Sequence, residues 1–344
     1  MANVWYDGFD SYAVAANLQT LQYLTPATVP GFSTTGGRFG GGGMVFAGSA
    51  GEGLDTSGSF ALELWVGFAI KVTSSTNRDG AICTFASGSG IEGLVTYNPV
   101  TGVLKVWRGQ EATMLGSVAV TFTNGTWYWV DIHYKYHAST GIFEVWQSNN
   151  QILSLTSQNT AQNSGQTSLA QIDLGCYTNT INVLGCSYDD LVINDTTGSY
   201  NNGRQGDSRI ETLEPTSDAT PNNGTCSTGT THYAMVNESP WNSTNYITMT
   251  NTSGQKELFG MASLAGSPLA ISALRVVNIA ENTDAGSGAL EGVLVSSGTE
   301  SDGASVNLGS SWSRQSQLYE FDPHTSAAWT TAAVNAAQTG WKVP

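Results

Sequence analysis

GTWYWVDIHYKY, residues 125–136, separates by strict alternation into Trp127, Trp129, Asp131, His133 and Lys135 on one face and Tyr128, Val130, Ile132, Tyr134 and Tyr136 on the other. Period two marks a β-strand, because successive Cβ atoms leave opposite sides of the pleat. A turn at Ala138 to Gly141 follows, and then Ile142 to Gln147, IFEVWQ, which predicts a hairpin. Upstream the same alternation places Phe60, Leu62, Leu64, Val66 and Phe68 against Ala61, Glu63, Trp65 and Gly67. Further strands are predicted at Gly80–Ala86, Gly93–Tyr97 and Val103–Arg108. Six or more such strands joined by turns imply an antiparallel sandwich of two sheets sharing one core.

Composition supports a β-rich chain. Of 344 residues 40% are hydrophobic and 10% aromatic, enough to bury cores of ordinary size, while 40 glycines supply turns. The net charge of −15, with no Lys/Arg cluster, excludes a general nucleic-acid binder and electrostatic attraction to anionic membranes. The start, MANVWYDGFDSY, has neither a basic n-region nor an apolar h-region, so synthesis in a cytoplasm without a classical export signal is expected. A short helix is expected near Ala13 to Leu24. The glycine run from Gly31 to Ala47 lacks the Gly-Lys-Ser/Thr ending of a phosphate-binding loop and reads as a turn before a strand at Met44–Ala47.

The stretch Ser187 to Pro215, SYDDLVINDTTGSYNNGRQGDSRIETLEP, reads as strand, turn, exposed polar segment and strand. It divides the chain into a sandwich over residues 1–200, a linker at 201–208 and a second sandwich over 209–344. The Asn201-Asn202-Gly203 tip is where a protease is expected to cut first. Beyond it, strands are predicted at Tyr246–Thr250, Lys256–Met261, Ala270–Glu281, Leu290–Ser296 and Trp312–Phe321, followed by a helix over Ser326–Ala337 and a last strand at Gln338–Val343. The predicted fold is therefore all-β, with two antiparallel β-sandwich domains in tandem, the second carrying one short C-terminal helix.

Two resemblances add to this reading. The order of the FALELWVGFAIK strand, the GTWYWVDIHYKYHASTGIFEVWQ hairpin and the closing YDDLVIND strand resembles the concanavalin A-like, laminin-G-type jelly roll over roughly residues 1–200. That family carries lectins, glycosidases and purely structural modules alike, so the resemblance implies a fold and not a function. The set GDSRIETLEPTSDA, HYAMVNE and LYEFDPHTSAAWTTAAVNAAQTGWKV is similar to the C-terminal region of tailed-bacteriophage virion structural proteins, over roughly residues 187–344. This resemblance implies a non-enzymatic tail or head-decoration protein that docks on other virion proteins as a homo-oligomer, a trimer matching the three-fold positions of such particles. The alternative is a host-surface carbohydrate-binding adhesin acting through the first domain.

No Glu-x-Asp-x-x-Glu string of the jelly-roll glycosidases occurs, Glu63 and Glu144 stand singly on separate strands, and Asp131 stands beside His133. No nucleophile elbow is present, and His133 and His137 lie on a strand and its turn, where a spacing of four does not converge on one metal. No catalytic residues and no cofactor are expected. Trp107, Trp127, Trp129 and Trp146 are the candidate carbohydrate contacts, as flat faces for pyranose rings or as core residues. Laminin-G-like modules often hold Ca2+ at a rim, which makes Asp189, Asp190 and Asp195 the acidic candidates; without calcium-loop spacing they read as a solvated rim. Cys83, Cys176, Cys186 and Cys226 have no zinc spacing; they read as reduced thiols, with Cys176–Cys186 pairing across a hairpin as the alternative.

Overall fold

The computed structural model describes residues 3–21, 23–24, 28–176, 178, 180–284 and 286–344. The chain divides into two compact units, Met1–Gln19 with Tyr23–Ile210, and Thr20–Gln22 with Glu211–Pro344. Up to Asp195 it forms β1 (Asn3–Asp7), α1 (Ala15–Leu21), β2 (Gly31–Ser33), β3 (Gly43–Phe46), β4 (Gly53–Phe60), β5 (Glu63–Val72), β6 (Gly80–Ser87), β7 (Gly90–Asn98), β8 (Val103–Arg108), β9 (Thr113–Ala119), β10 (Trp127–Lys135), β11 (Gly141–Gln147), β12 (Asn150–Gln158), β13 (Leu169–Gly175) and β14 (Cys186–Asp195).

These strands build an antiparallel jelly-roll sandwich. One sheet runs β12-β11-β10-β5-β14-β3-β2, with β1 also paired to β14, and the other runs β4-β13-β6-β7-β8-β9. The chain crosses between sheets after β3, β4, β5, β9, β12 and β13, so each sheet holds strands distant in sequence. The alternation read from β5 and β10 holds: Leu64, Val66, Phe68, Val130, Ile132 and Tyr134 are all sealed in the core. Across the two sheets Phe85 stacks on Tyr134 with centroids 4.3 Å apart and meets Phe143 edge-on. Interlocked rings of this kind bury large areas and fix the distance between sheets.

The second unit contains β15 (Pro215–Asn222), β16 (Thr225–Cys226), β17 (Ile247–Thr248), β18 (Lys256–Met261), β19 (Leu274–Ala280), β20 (Gly288–Ser296), β21 (Thr299–Asp302), β22 (Val306–Leu308), β23 (Ser313–Tyr319), α2 (Thr331–Ala336) and β24 (Gln338–Lys342). A six-stranded antiparallel sheet runs β15-β18-β24-β20-β21, with β22 also on β20, and the β19-β23 ladder packs over it. The enclosed core joins Val276, Leu294, Tyr319, Trp329 and Val334. HYAMV, residues 232–236, makes a one-turn 3-10 helix at Tyr233–Met235.

The C-terminal helix is shorter than the predicted Ser326–Ala337. Asp322 organises a turn before it, accepting from the His324 backbone N–H (3.0 Å) and the Thr325 hydroxyl (3.1 Å), and Ser326 takes a left-handed φ of 55°. The helix therefore starts only where Thr330 caps it, Oγ1 accepting from Ala333 N at 3.1 Å. Trp329 lies just outside the helix, buried and donating through Nε1 to Tyr319 O at 2.9 Å. The last strand, β24, inserts between β18 and β20.

The predicted exposed linker at 201–208 belongs to the first unit and is tied to its sheet. Asn194 Nδ2 donates to the carbonyls of Asn201 (2.7 Å) and Gly203 (2.6 Å), Arg204 reaches Asp131 at 2.8 Å, and Asp207 pairs with Arg38 at 2.7 Å. Polarity in this segment serves inward bonds to a sheet that is itself polar, which composition alone does not distinguish from solvation.

Candidate functional site

The outer face of the eight-stranded sheet concentrates the chemistry of the first unit. β10 pairs with β5 in a register that sets His133 opposite Trp65 and Asp131 opposite Gly67, and with β11 so that His133 faces Glu144 and Asp131 faces Trp146. On the far side of β11, Glu144 lies opposite Ser154 of β12, and Asn194 of β14 lies opposite Trp65. One row thus reads Asn194, Trp65, His133, Glu144, Ser154 across five strands.

His133 is the centre of that row. Its Nδ1 is 2.9 Å from Glu144 Oε2 and its Nε2 is 3.2 Å from Glu63 Oε1, so the ring bridges two carboxylates. Glu63 also holds the Lys135 ammonium at 2.8 Å, and Glu144 Oε1 accepts from Ser154 Oγ (2.9 Å) and Gln151 Nε2 (3.2 Å). Burial alone would raise the Glu63 carboxyl, but the bond and charge of Lys135 together with His133 outweigh it and hold its pKa below the usual range. The Glu63 and Glu144 side chains remain 27% and 17% exposed, so this network meets solvent.

Aromatic rings frame it. Trp65 stacks on His133 with 4.3 Å between centroids, and the half-buried Trp146 stands 5.1 Å from Trp65 at an interplanar angle of 42°. Arg204 lies over Trp146 at 5.6 Å while its Nε holds Asp131, whose carboxyl is raised by burial despite that guanidinium. Trp127, further down β10, lies beneath the Lys71 ammonium at 4.7 Å.

The four tryptophans singled out from sequence therefore separate. Trp127 and Trp146 are half-buried on this face. Trp129 is on the same face but fully enclosed, packed with Ala69, Val192 and Ile210 under the 201–210 segment, and Gly67 permits this because a Cβ there would sit 2.6 Å from its ring. Trp107 is on β8 of the other sheet, donating to Thr96 Oγ1 at 2.9 Å. Trp65 was not among the four, although its place in the alternate set with Glu63 was the available signal. Glu63 and Glu144 are not isolated, because the β5-β10-β11 order brings both to His133.

Asp189 and Asp190 are not solvated, being 5% and 1% exposed at an irregularity in β14 where Asp190 has φ of 55°. Asp189 accepts from Arg38 N (2.6 Å) and Asp190 from Ile210 N (2.7 Å), with the Arg38 guanidinium 3.8 Å from Asp190. Burial raises both carboxyls. Asp195 is apart from them, capping Thr197 N at 2.8 Å. Among the described residues no three His, Cys, Asp or Glu side chains converge as a metal requires. All four cysteines are free thiols, Cys176 and Cys186 included.

A carboxyl pair that sequence reading missed lies on the other sheet. Asp55 of β4 and Asp173 of β13 are direct cross-strand partners, 2% and 0% exposed. Burial pushes Asp55 up to about 7 and Asp173 well above the carboxylate range, the two charges opposing each other. Nothing in the sequence marks β4 and β13 as neighbours.

No protein-family profile matches the chain, and no curated protein matches it. Among solved structures it is similar to the cellulose-induced protein Cip1 (14% identity, TM-score 0.40) and to the alginate lyase Aly36B (13% identity, TM-score 0.36), each match covering 55% of this chain and 96% of the other. It is also similar to Trypanosoma rangeli sialidase at 9% identity and a TM-score of 0.35, covering 44% of this chain. The chain spans about a quarter of the length of that sialidase, the match covering 25% of it.

Proposed function

We propose that the first unit binds glycans on the outer face of its eight-stranded sheet and does so without catalysis. The observation that carries this reading is the angled Trp65–Trp146 pair bordered by the ordered Glu63, His133 and Glu144. Indole faces receive the C–H side of a pyranose, and fixed carboxylates accept bonds from its hydroxyls. Each carboxylate oxygen of Glu63 and Glu144 already has a partner in His133, Lys135, Ser154 or Gln151. These bonds hold both carboxylates in one orientation, which suits recognition of ligand hydroxyls. A glycan array with the full chain tests the reading: saturable capture that is lost in Trp65→Ala and Trp146→Ala with folding retained is expected, and capture unchanged in both variants overturns it.

The second reading is assembly into a virion, which rests on the resemblance over residues 187–344. It is favoured by an exposed aromatic group in the second unit, where Trp241 and Tyr246 lie 5.6 and 6.4 Å from Trp312 and Tyr246 is 41% exposed. Surface aromatics of this kind suit a contact with another protein. A strict monomer by light scattering, combined with absence from purified particles, overturns it. The two readings are compatible, since an adhesin carried on a particle would use one unit for each task.

A further inference from the structure

Beyond the sheet face, one cavity of the first unit has a lining that selects a ligand class. It measures about 470 Å3, within the roughly 300–1,000 Å3 of small-molecule pockets, and lies between the turn after β10 and the loop at 159–166. Leu62, Tyr136 and Ala161 give it an apolar floor, and His137, Asn159, Gln162 and Gln166 stand around it. Among the described residues no Asp, Glu, Lys or Arg lines it. In a chain of net charge −15 an uncharged pocket excludes recognition of an ionic ligand by pairing.

Its polar groups are available, and those of His137 and Gln166 are also held. His137 Nδ1 accepts from the backbone N–H groups of Ser139 (3.0 Å) and Thr140 (2.9 Å), so the neutral ring keeps its proton on Nε2 as a donor. Asn159 Oδ1 caps Ala161 N at 3.1 Å, leaving its Nδ2, and the Gln162 amide has no hydrogen-bond partner among the described residues. Gln166 Nε2 is held by Ser89 Oγ at 3.1 Å, leaving its carbonyl oxygen.

The walls are pinned to the two sheets. Glu92, 0% exposed, accepts from Gln162 N (2.9 Å), Asn163 N (2.9 Å), Asn163 Nδ2 (3.0 Å) and Ser87 Oγ (2.7 Å). Thr160 bonds the His137 backbone in both directions, at 2.9 Å each way, and Tyr136 donates its hydroxyl to Asn163 O. A buried carboxylate spent on holding a surface loop is what a pre-organised binding site requires.

We infer that this cavity binds one neutral pyranose residue, its apolar face on Leu62 and Tyr136 and its hydroxyls on His137 Nε2 and the three amides. Leu62 precedes Glu63 and Tyr136 follows Lys135, so the cavity opens at the ends of the strands that carry the Trp65 face. The sugar class rests on the glycan reading above, with the cavity taking a single residue and the sheet face a chain.

The test is saturation-transfer NMR of the full chain with methyl glucoside, galactoside, mannoside and N-acetylglucosaminide. At least one of them binds; Ala161→Trp, which fills the cavity, abolishes the signal, and Gln162→Ala weakens it about three- to tenfold, one neutral hydrogen bond. The inference is overturned if no pyranoside binds at roughly 10 mM, a weak-affinity ceiling, or if binding survives both cavity variants, or if Trp65→Ala alone removes it. In the last case the sheet-face reading stands while the cavity falls; monosaccharide binding without capture of any oligosaccharide on an array has the opposite meaning.

Discussion

The indole of Trp65 lies flat on the imidazole of His133, with 4.3 Å between ring centroids and 4° between planes. This stack fixes the ring whose two nitrogens meet Glu144 and Glu63, so Trp65 both presents a face to ligand and orders the polar groups beside it. Trp65→Ala is expected to weaken glycan affinity about tenfold, the upper part of what one aromatic stack supplies and enough to drop a weak ligand below detection on an array. Titration of an array-positive glycan by calorimetry checks it, with circular dichroism confirming the fold.

Asp55 and Asp173 make stability fall as pH rises. Their folded pKa values are raised, Asp55 to about 7, above the unfolded value of roughly 4. The folded state therefore holds more protons across that interval. The contribution is full below about pH 4 and is lost as pH rises to about 7, because the unfolded chain ionises freely while the buried pair resists. Melting temperatures between pH 4 and 8 should decline in the native chain and decline less in Asp173→Asn. Asp189 and Asp190, raised in the same direction, account for part of the slope that remains.

Arg204 anchors the 201–210 segment through Asp131, whose side chain is 3% exposed. Arg204→Ala strands that carboxylate and should destabilise the first unit by about 3 kcal/mol, the lower end for a broken buried pair because Asp131 relieves part of the cost by protonation. Adding Asp131→Asn should recover part of the loss. Urea denaturation of the single and double variants checks both steps.

Proteolysis should follow the same anchoring. Asn194 Nδ2 holds the carbonyls of Asn201 and Gly203, so cleavage at the 201–203 tip should be slow in the native chain and become the first cut in Asn194→Ala. Mass spectrometry of limited digests reads the order of cuts. Prompt cutting of the native chain at this tip would show that these bonds do not restrain it.

In the second unit Trp329 fills the core and donates to Tyr319 O. Trp329→Ala should cost about 3–5 kcal/mol through the cavity and the lost bond. Thermal unfolding followed by hydrogen exchange over residues 211–344 locates the effect.

What the sequence by itself determined is local. Alternation within residues 63–68 and 125–136 split each strand into two faces, and Leu64, Val66, Ile132 and Tyr134 fall together in the core, because side-chain direction in a strand depends only on the parity of position. The predicted continuation back to Ser59 and Phe60 does not hold, since those residues end β4 in the other sheet. The same parity grouped Trp65 with Glu63 and Asp131 with His133, each pair on one face of its strand. Parity does not say which strands are neighbours or in what register. Only the tertiary structure decided that β5 and β11 flank β10, which turns Glu63 and Glu144 from single carboxylates into the two partners of His133. Pairing of β4 with β13 likewise made a buried acid pair of Asp55 and Asp173, and the fold-back of 201–210 enclosed Trp129 while leaving Trp146 half-open. These outcomes rest on contacts between residues far apart in the chain, set by packing of the whole sandwich.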